Sequence, residues 1–264
     1  MKYIDIHGHV NFLEFDADRE EVIKRAQDAG VGIITVGTGI NDSKSATKLA
    51  ETHENMWAIV GIHPIYVKQV GKVRDISADL AKLADLAAHP KVVAIGECGL
   101  DYFHSKPEEI PQQREIFEKH IEIANKVGKP LMLHIRNGKS AANSNAYQEA
   151  IQILKKSAKV PANFHFFAGT VQDAKDIVEM GNTMSFTGVL TFARDYDEII
   201  KTAPLANIMS ETDCPYVAPA SYRGKRNEPS YVIEVVKKIA EIRGEDVEVV
   251  AKQLVENAKR AFGV

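Results

Sequence analysis

The sequence predicts an α/β fold: a single-domain TIM (β/α)8 barrel spanning residues 1–264, with extra C-terminal helices. Short, almost continuously apolar runs rich in β-branched residues recur along the chain, as expected of strands covered on both faces. Stretches of helical periodicity separate them, and 264 residues match the ~250 that one such barrel takes. An open doubly wound sheet is the alternative, and it would leave the histidines described below scattered along an edge. No Pro/Ser-rich linker or composition break divides the chain.

The first strand is expected over residues 2–6, ahead of His7-Gly8-His9. A helix over 18–29 follows and stops at Gly30, a residue suited to a helix C-cap. Further strands are expected over 31–36, 57–62 and 92–96, with a helix over 77–88 that opens on a serine cap and stops before Pro90. A helix over 110–127 ends at Gly128 and leads to a strand over 130–134. The Asn/Ser/Gly/Ala-rich stretch 137–145 reads as a mobile loop. Strands over 162–166, 183–186 and 207–210 complete the set, with a helix over 171–180 ending at Gly181. Helices over 229–243 and 246–261 then cap the barrel. There is no internal repeat or low-complexity segment.

Composition narrows the function. Hydrophobic residues make up 45% and charged residues 26%, ordinary for a globular protein. A net charge of −3 means that any nucleic-acid binding must use a local patch or metal ions rather than a global field. Cys98 and Cys214 form no CxxC pair and read as small buried packing residues. The start meets charge at once and lacks the apolar core of a signal peptide. No apolar run approaches the ~20 residues of a membrane span. A soluble cytoplasmic protein is expected, with no membrane association and no obligate protein partner.

The chemistry lies at the strand ends. In such a barrel, residues just past each strand's C-terminal end share the face where active sites form. His7 and His9 follow the first strand, His63 the third, Glu97 the fourth, His134 the fifth, His165 the sixth and Asp213 the eighth. The chain has nine histidines, and five fall in this set; His53, His89, His104 and His120 read as surface residues. A lone strand-end histidine is more often a hydrogen-bonded structural residue, so the set carries the inference and no member does. His7, His9 and Asp213 are expected to hold one divalent ion and His134 and His165 a second, with Glu97 bridging. Two such ions share a hydroxide nucleophile and clamp both oxygens of a displacement. Asp213 is placed to accept the nucleophile's proton and His63 to polarise or protonate substrate. Asp5 is expected to fix the strand end or a ligand's tautomer. Arg136, Tyr102 and the cationic loop with Arg223 and Arg226 are candidate contacts to phosphate and base.

These motifs resemble the TatD family of metal-dependent hydrolases, within the amidohydrolase-like barrels. The resemblance runs along essentially the whole chain: Asp5-Ile6-His7-Gly8-His9, Gly61-Ile62-His63-Pro64, Gly96-Glu97-Cys98-Gly99-Leu100-Asp101-Tyr102, Gln113 with Phe117, and Leu133-His134-Ile135-Arg136. It continues through the His165 to Gly169 segment, Ser185-Phe186-Thr187-Gly188, Glu211-Thr212-Asp213-Cys214-Pro215 and Arg223-Gly224-Lys225-Arg226-Asn227-Glu228-Pro229. It implies two divalent metal ions, Mg2+ or Mn2+ in function with Zn2+ also suited to the imidazoles, and 3′–5′ exonuclease activity on single-stranded DNA or RNA. It implies the ligand set His7, His9, Glu97, His134, His165 and Asp213. It also implies catalytic or phosphate-contacting roles for His63, Arg136, Glu211 and the loop that ends at Asn227. Phe166 and Ala168 stand where the family often has Cys and Ser, and the 137–145 loop is longer than usual.

Two other functions compete. An ester or amide hydrolase, such as a D-aminoacyl-tRNA deacylase, would use the same site on a carbonyl. Related barrels bridge their metals with a carboxylated lysine on the fourth strand, where this chain has Glu97. A metal-stabilised binding protein without turnover is the third reading, opposed by the presence of both His63 and Arg136.

Overall fold

The computed structural model describes residues 1–67, 76–139 and 145–264. Eight strands form one sheet in chain order: β1 (Tyr3–Gly8), β2 (Val31–Val36), β3 (Met56–Val60), β4 (Val92–Asp101), β5 (Leu131–Arg136), β6 (Ala162–His165), β7 (Thr183–Phe186) and β8 (Ile208–Ser210). Each pairs in parallel with the next. The sheet closes where the chain beyond β8 meets β1. Asp213 N–H donates to His7 O at 2.8 Å, and His9 N–H donates to Cys214 O at 2.7 Å. The fold is a TIM barrel.

The helices alternate with the strands as α1 (Arg19–Asp28), α2 (Ile40–Glu51), α3 (Ile76–Ala87), α4 (Ile110–Val127), α5 (Ala146–Ser157), α6 (Val171–Glu179), α7 (Asp197–Thr202), α8 (Val232–Arg243) and α9 (Val247–Phe262). The expected glycine stops occur: Gly128 closes α4 at φ 68°, and Gly30 and Gly181 follow α1 and α6 at φ 74° each. Such left-handed backbone is free of cost only for glycine. Asp246 caps α9 by accepting from the N–H groups of Glu248 and Val249. The helices α2, α5 and α7 were not expected. The first two turns of α2 are rich in Asn, Asp and Ser, whose side chains compete for backbone hydrogen bonds, and its buried face is largely small and polar. Residues 140–144 of the loop expected over 137–145 lie outside the described residues.

Two apolar clusters hold the barrel. The larger joins the outer strand faces to the helices. The smaller takes Ile4 and Ile6 from β1, Ile34 and Val36 from β2, Ile59 from β3, Val93 and Ala94 from β4, Met132 from β5 and Met209 near the start of β8. Residues from six of the eight strands meet here in the lumen, and Val255, Ala258 and Phe262 of α9 complete this cluster. The regular register breaks between Asp5 and Gly8 on β1 and between Ile95 and Cys98 on β4. Such irregularities re-aim side chains. These two lie at His7 and at Glu97.

His120 differs from expectation. It lies on the inner face of α4 with no exposed surface, its Nδ1–H donating to Ile116 O at 2.7 Å and its Nε2 accepting from Ile62 N–H at 3.0 Å. It is an interior residue that ties α4 to the chain after β3, not a surface one.

Candidate metal centre

Glu97 stands at the centre of the barrel mouth with one oxygen turned to each side. Its Oε2 lies 3.4 Å from His7 Nε2 and 3.8 Å from His9 Nε2. Its Oε1 lies 2.8 Å from His165 Nε2, 3.0 Å from His134 Nδ1 and 3.2 Å from His63 Nε2. Asp213 Oδ1 closes the first side, 3.4 Å from His9 Nε2 and 3.9 Å from His7 Nε2. Asp213 itself has φ 54°, a left-handed conformation that a residue with a side chain adopts at a cost. The side chains of six strand ends meet within one cup.

The partners outside the cup set which nitrogen each ring turns inward. His9 donates Nδ1–H to Val36 O at 3.0 Å, leaving the Nε2 lone pair for the cup. His134 donates from Nε2 to Asp101 Oδ2 at 3.0 Å, so its Nδ1 faces Glu97. His165 is held through Nδ1 by Glu211 Oε1 at 3.3 Å, so its Nε2 faces Glu97. His63 is the exception. Ile65 N–H donates to its Nδ1 at 3.1 Å, which leaves the proton on Nε2, directed at Glu97 Oε1. It is a donor rather than a lone pair.

His7 has no exposed surface, yet neither ring nitrogen has a hydrogen-bond partner among the described residues. Leaving such a group unsatisfied costs about 1–3 kcal/mol. Burial holds its pKa down at about 3, so the ring is neutral with its lone pair available. The donor atoms of His7, His9 and Glu97, of His7, His165 and Asp213, and of His63, Glu97 and His134 each lie within 4.8 Å of one another. Mixed imidazole and carboxylate donors at this spacing suit divalent cations. The orphaned ring and the inward lone pairs fit such a group.

Burial works against charge throughout the cup. It does so at Glu97, yet the imidazoles of His165, His63 and His7 hold that carboxyl well below its usual range. It does so at His165 too, where Glu97 and Glu211 hold the pKa well above that of a free imidazole. Asp5 lies beneath: it accepts from Thr212 N–H at 2.8 Å and from the Thr212 hydroxyl, and burial pushes its carboxyl up to about 8. It pins the β1 end to the chain after β8, as expected for the strand-end role.

Several expected contacts to substrate lie elsewhere. Tyr102 is buried, and its hydroxyl donates to Glu149 Oε2 at 2.7 Å among the outer helices, because the residue after Asp101 turns away from the cup. Asn227 has no exposed surface and donates to Thr212 O and Tyr216 O, bracing the loop instead of meeting substrate. Arg226 is spent on Asp18 and on the Glu14 carbonyl. Glu211 is fully buried, holding Phe166 N–H, the Ser185 hydroxyl and His165, so it positions the His165 ring. Arg223 lies over the Phe192 ring at 4.5 Å. Arg136 does stand at the mouth, its guanidinium 4.8 Å from the Phe103 ring centre. Asp101 was missed as a positioning group. Its place four residues after Glu97 was the available signal.

The TatD-related DNase family model matches residues 4–263. The chain belongs to the TatD family. It is 37% identical over 266 residues to the uncharacterized metal-dependent hydrolase YabD of Bacillus subtilis, covering 98% of each chain. It is 34% identical to the 3′-5′ ssDNA/RNA exonuclease TatD of Pantoea ananatis, covering 98% of this chain and 99% of the relative. Among solved structures, the YJJV TatD homolog of Escherichia coli K12 superposes with a TM-score of 0.88 at 27% identity, covering 100% and 98% of the two chains. This TatD-family chain is thus a metal-dependent hydrolase with buried His, Asp and Glu groups able to bind metal. Among the described residues, no helix is long and apolar enough to cross a membrane.

Proposed function

We propose that this chain hydrolyses phosphodiester bonds in single-stranded DNA, and in RNA, as a 3′–5′ exonuclease. The observation that carries the reading is Glu97, one oxygen addressed to His7 and His9 and the other to His134 and His165. Similarity to relatives named as ssDNA/RNA exonucleases supports the substrate class. In this reading His7, His9, Asp213 and Glu97 would hold one divalent ion and Glu97, His134 and His165 the other, with Mg2+ or Mn2+ in function. Such ions would supply Lewis-acid activation of water and charge neutralisation at the phosphoryl group.

The chain's own groups do the rest. Asp213, whose side chain retains 12% exposure, takes the proton of the attacking water. His63, carrying its proton on Nε2, donates a hydrogen bond to the departing oxygen and steadies its charge while keeping that proton. Its ring is kept neutral by burial, which lowers its pKa despite neighbouring Glu97. Arg136 binds the non-bridging phosphoryl oxygens, a contact for which guanidinium geometry is suited. Arg223 meets the strand further out. Free Cys98 and Cys214 support a reducing cytoplasmic setting, and continuous strand order supports one domain.

The test uses single-stranded DNA labelled at the 5′ end. Stepwise loss of 3′ nucleotides is expected, abolished by EDTA and restored by Mg2+ or Mn2+. Fully metallated protein that leaves the strand intact, while releasing the amino acid from D-aminoacyl-tRNA, would replace this reading with carbonyl chemistry.

A further inference from the structure

Large exposed apolar and aromatic side chains are not spread evenly. Among the described residues they are Met1, Leu13, Tyr66, Phe192, Tyr216 and Val249, and four of the six lie on loops that follow strands, at the barrel mouth. Leu13 is 82% exposed, Tyr216 49% and Tyr66 39%. Apolar surface gathered at one rim marks a binding face in a way that a single exposed leucine does not.

Three of the four adjoin the metal-site histidines on one side. Tyr66 packs edge-on to His63 with ring centres 5.9 Å apart, and Tyr216 to His9 at 6.4 Å. Phe12, which precedes Leu13, stacks on His9 at 4.5 Å and 16°. Tyr66 is near enough to Tyr216 to disfavour ionisation of the Tyr216 phenol. Phe192, by contrast, stands apart from these histidines and carries Arg223 over one face at 4.5 Å.

The other side of the same histidines is cationic. His63 and His134 have ring centres 4.2 Å apart, and beyond His134 the Phe103 ring is flanked by Arg136 at 4.8 Å and Lys139 at 4.2 Å. Neither Arg136 nor Lys139 makes an ion pair among the described residues, unlike Arg25, Arg114 and Arg226. Unpaired cations call for an anionic ligand, and half-exposed tyrosine faces call for a planar one. A single nucleic-acid strand offers both on adjacent groups.

We propose that Tyr66 and Tyr216, backed by Phe12 and Leu13, form a stacking subsite for a nucleobase of a single strand whose phosphates run toward Arg136 and Lys139. The subsite rests on the phosphodiesterase reading for its substrate class. It adds the residues that seat the base, and it accepts any base because every base has a π-face.

The test is a binding titration of the metal-loaded protein with a phosphorothioate oligothymidylate carrying 2-aminopurine at each of its last two 3′ positions in turn. Wild type is expected to quench the probe at one of these positions on saturation, as is Tyr216→Phe. Tyr66→Ala and Tyr216→Ala should bind about tenfold more weakly and lose the quenching. Arg136→Ala should weaken binding yet keep the quenching of the saturated complex. Failure to bind, an unquenched saturated complex, or full quenching in the double alanine variant would each overturn the subsite. A parallel cleavage assay on the unmodified strand separates the two readings. A quenched strand that is not cut leaves the subsite standing and refutes hydrolysis, whereas a strand cut without quenching does the reverse.

Discussion

His134 Nε2 lies 3.0 Å from Asp101 Oδ2, and this contact turns the opposite nitrogen of the ring toward Glu97. Asp101 is fully buried and also takes His104 Nδ1 at 2.9 Å and the backbone N–H groups of Phe103 and His104. Removing such a supporting carboxylate typically costs about 10–100-fold in metal affinity. Asp101→Ala should therefore weaken divalent-ion binding by that order in calorimetric titration, with His104→Ala close to wild type. Equal affinity in Asp101→Ala would show that the ring needs no lock.

Metal uptake should release protons. Without a cation the carboxylates hold His165 well above its usual pKa, and His134 and His9 are raised as well, in each case against the effect of burial. A bound ion takes the place of those protons. Affinity for Mn2+ should rise with pH across the neutral range, and calorimetry in buffers of different ionisation enthalpy should report net proton release. A pH-independent affinity with no proton release would count against imidazole ligation.

His120 gives a separate pH signature. Burial lowers its pKa from 6.5 to about 4. An unfolded chain therefore binds a proton here that the folded chain refuses. The contribution to stability is complete above pH 6.5 and is lost as pH falls toward 4. The loss is about 3 kcal/mol. Denaturant unfolding of wild type and His120→Gln between pH 7 and 4.5 should show wild type falling more steeply by that order. Parallel curves would place the charge change elsewhere.

Gly8 allows β1 to approach the segment after β8. A Cβ there would meet Cys214 Sγ at 2.8 Å and Asp5 Oδ2 at 3.2 Å. Gly8→Ala should cost about 1–3 kcal/mol in denaturant unfolding, by overpacking. It should also lower metal affinity, because His7 and His9 flank the strained point. A variant as stable as wild type, with unchanged affinity, would show that the β1 end can shift freely.

Much of this was legible in the sequence because strand ends in a parallel barrel share one face. The runs at 31–36 and 183–186 coincide with β2 and β7, and residues as distant as His7 and Asp213 meet as the barrel alternation implies. What the pattern could not carry is where a side chain points once the strand stops. Tyr102 turned outward to Glu149, and Asn227 and Arg226 became braces, because each had a local partner that residue type alone does not reveal. Periodicity placed His120 on α4 but not on its buried face. The small, hydroxyl-rich face of α2 hid that helix.

The most direct measurement is anomalous scattering at the manganese edge from a crystal grown with Mn2+. Two peaks are expected, one between Glu97 and the His7/His9/Asp213 side and one between Glu97 and His134/His165. A single peak, or none touching Glu97, would contradict the two-ion centre.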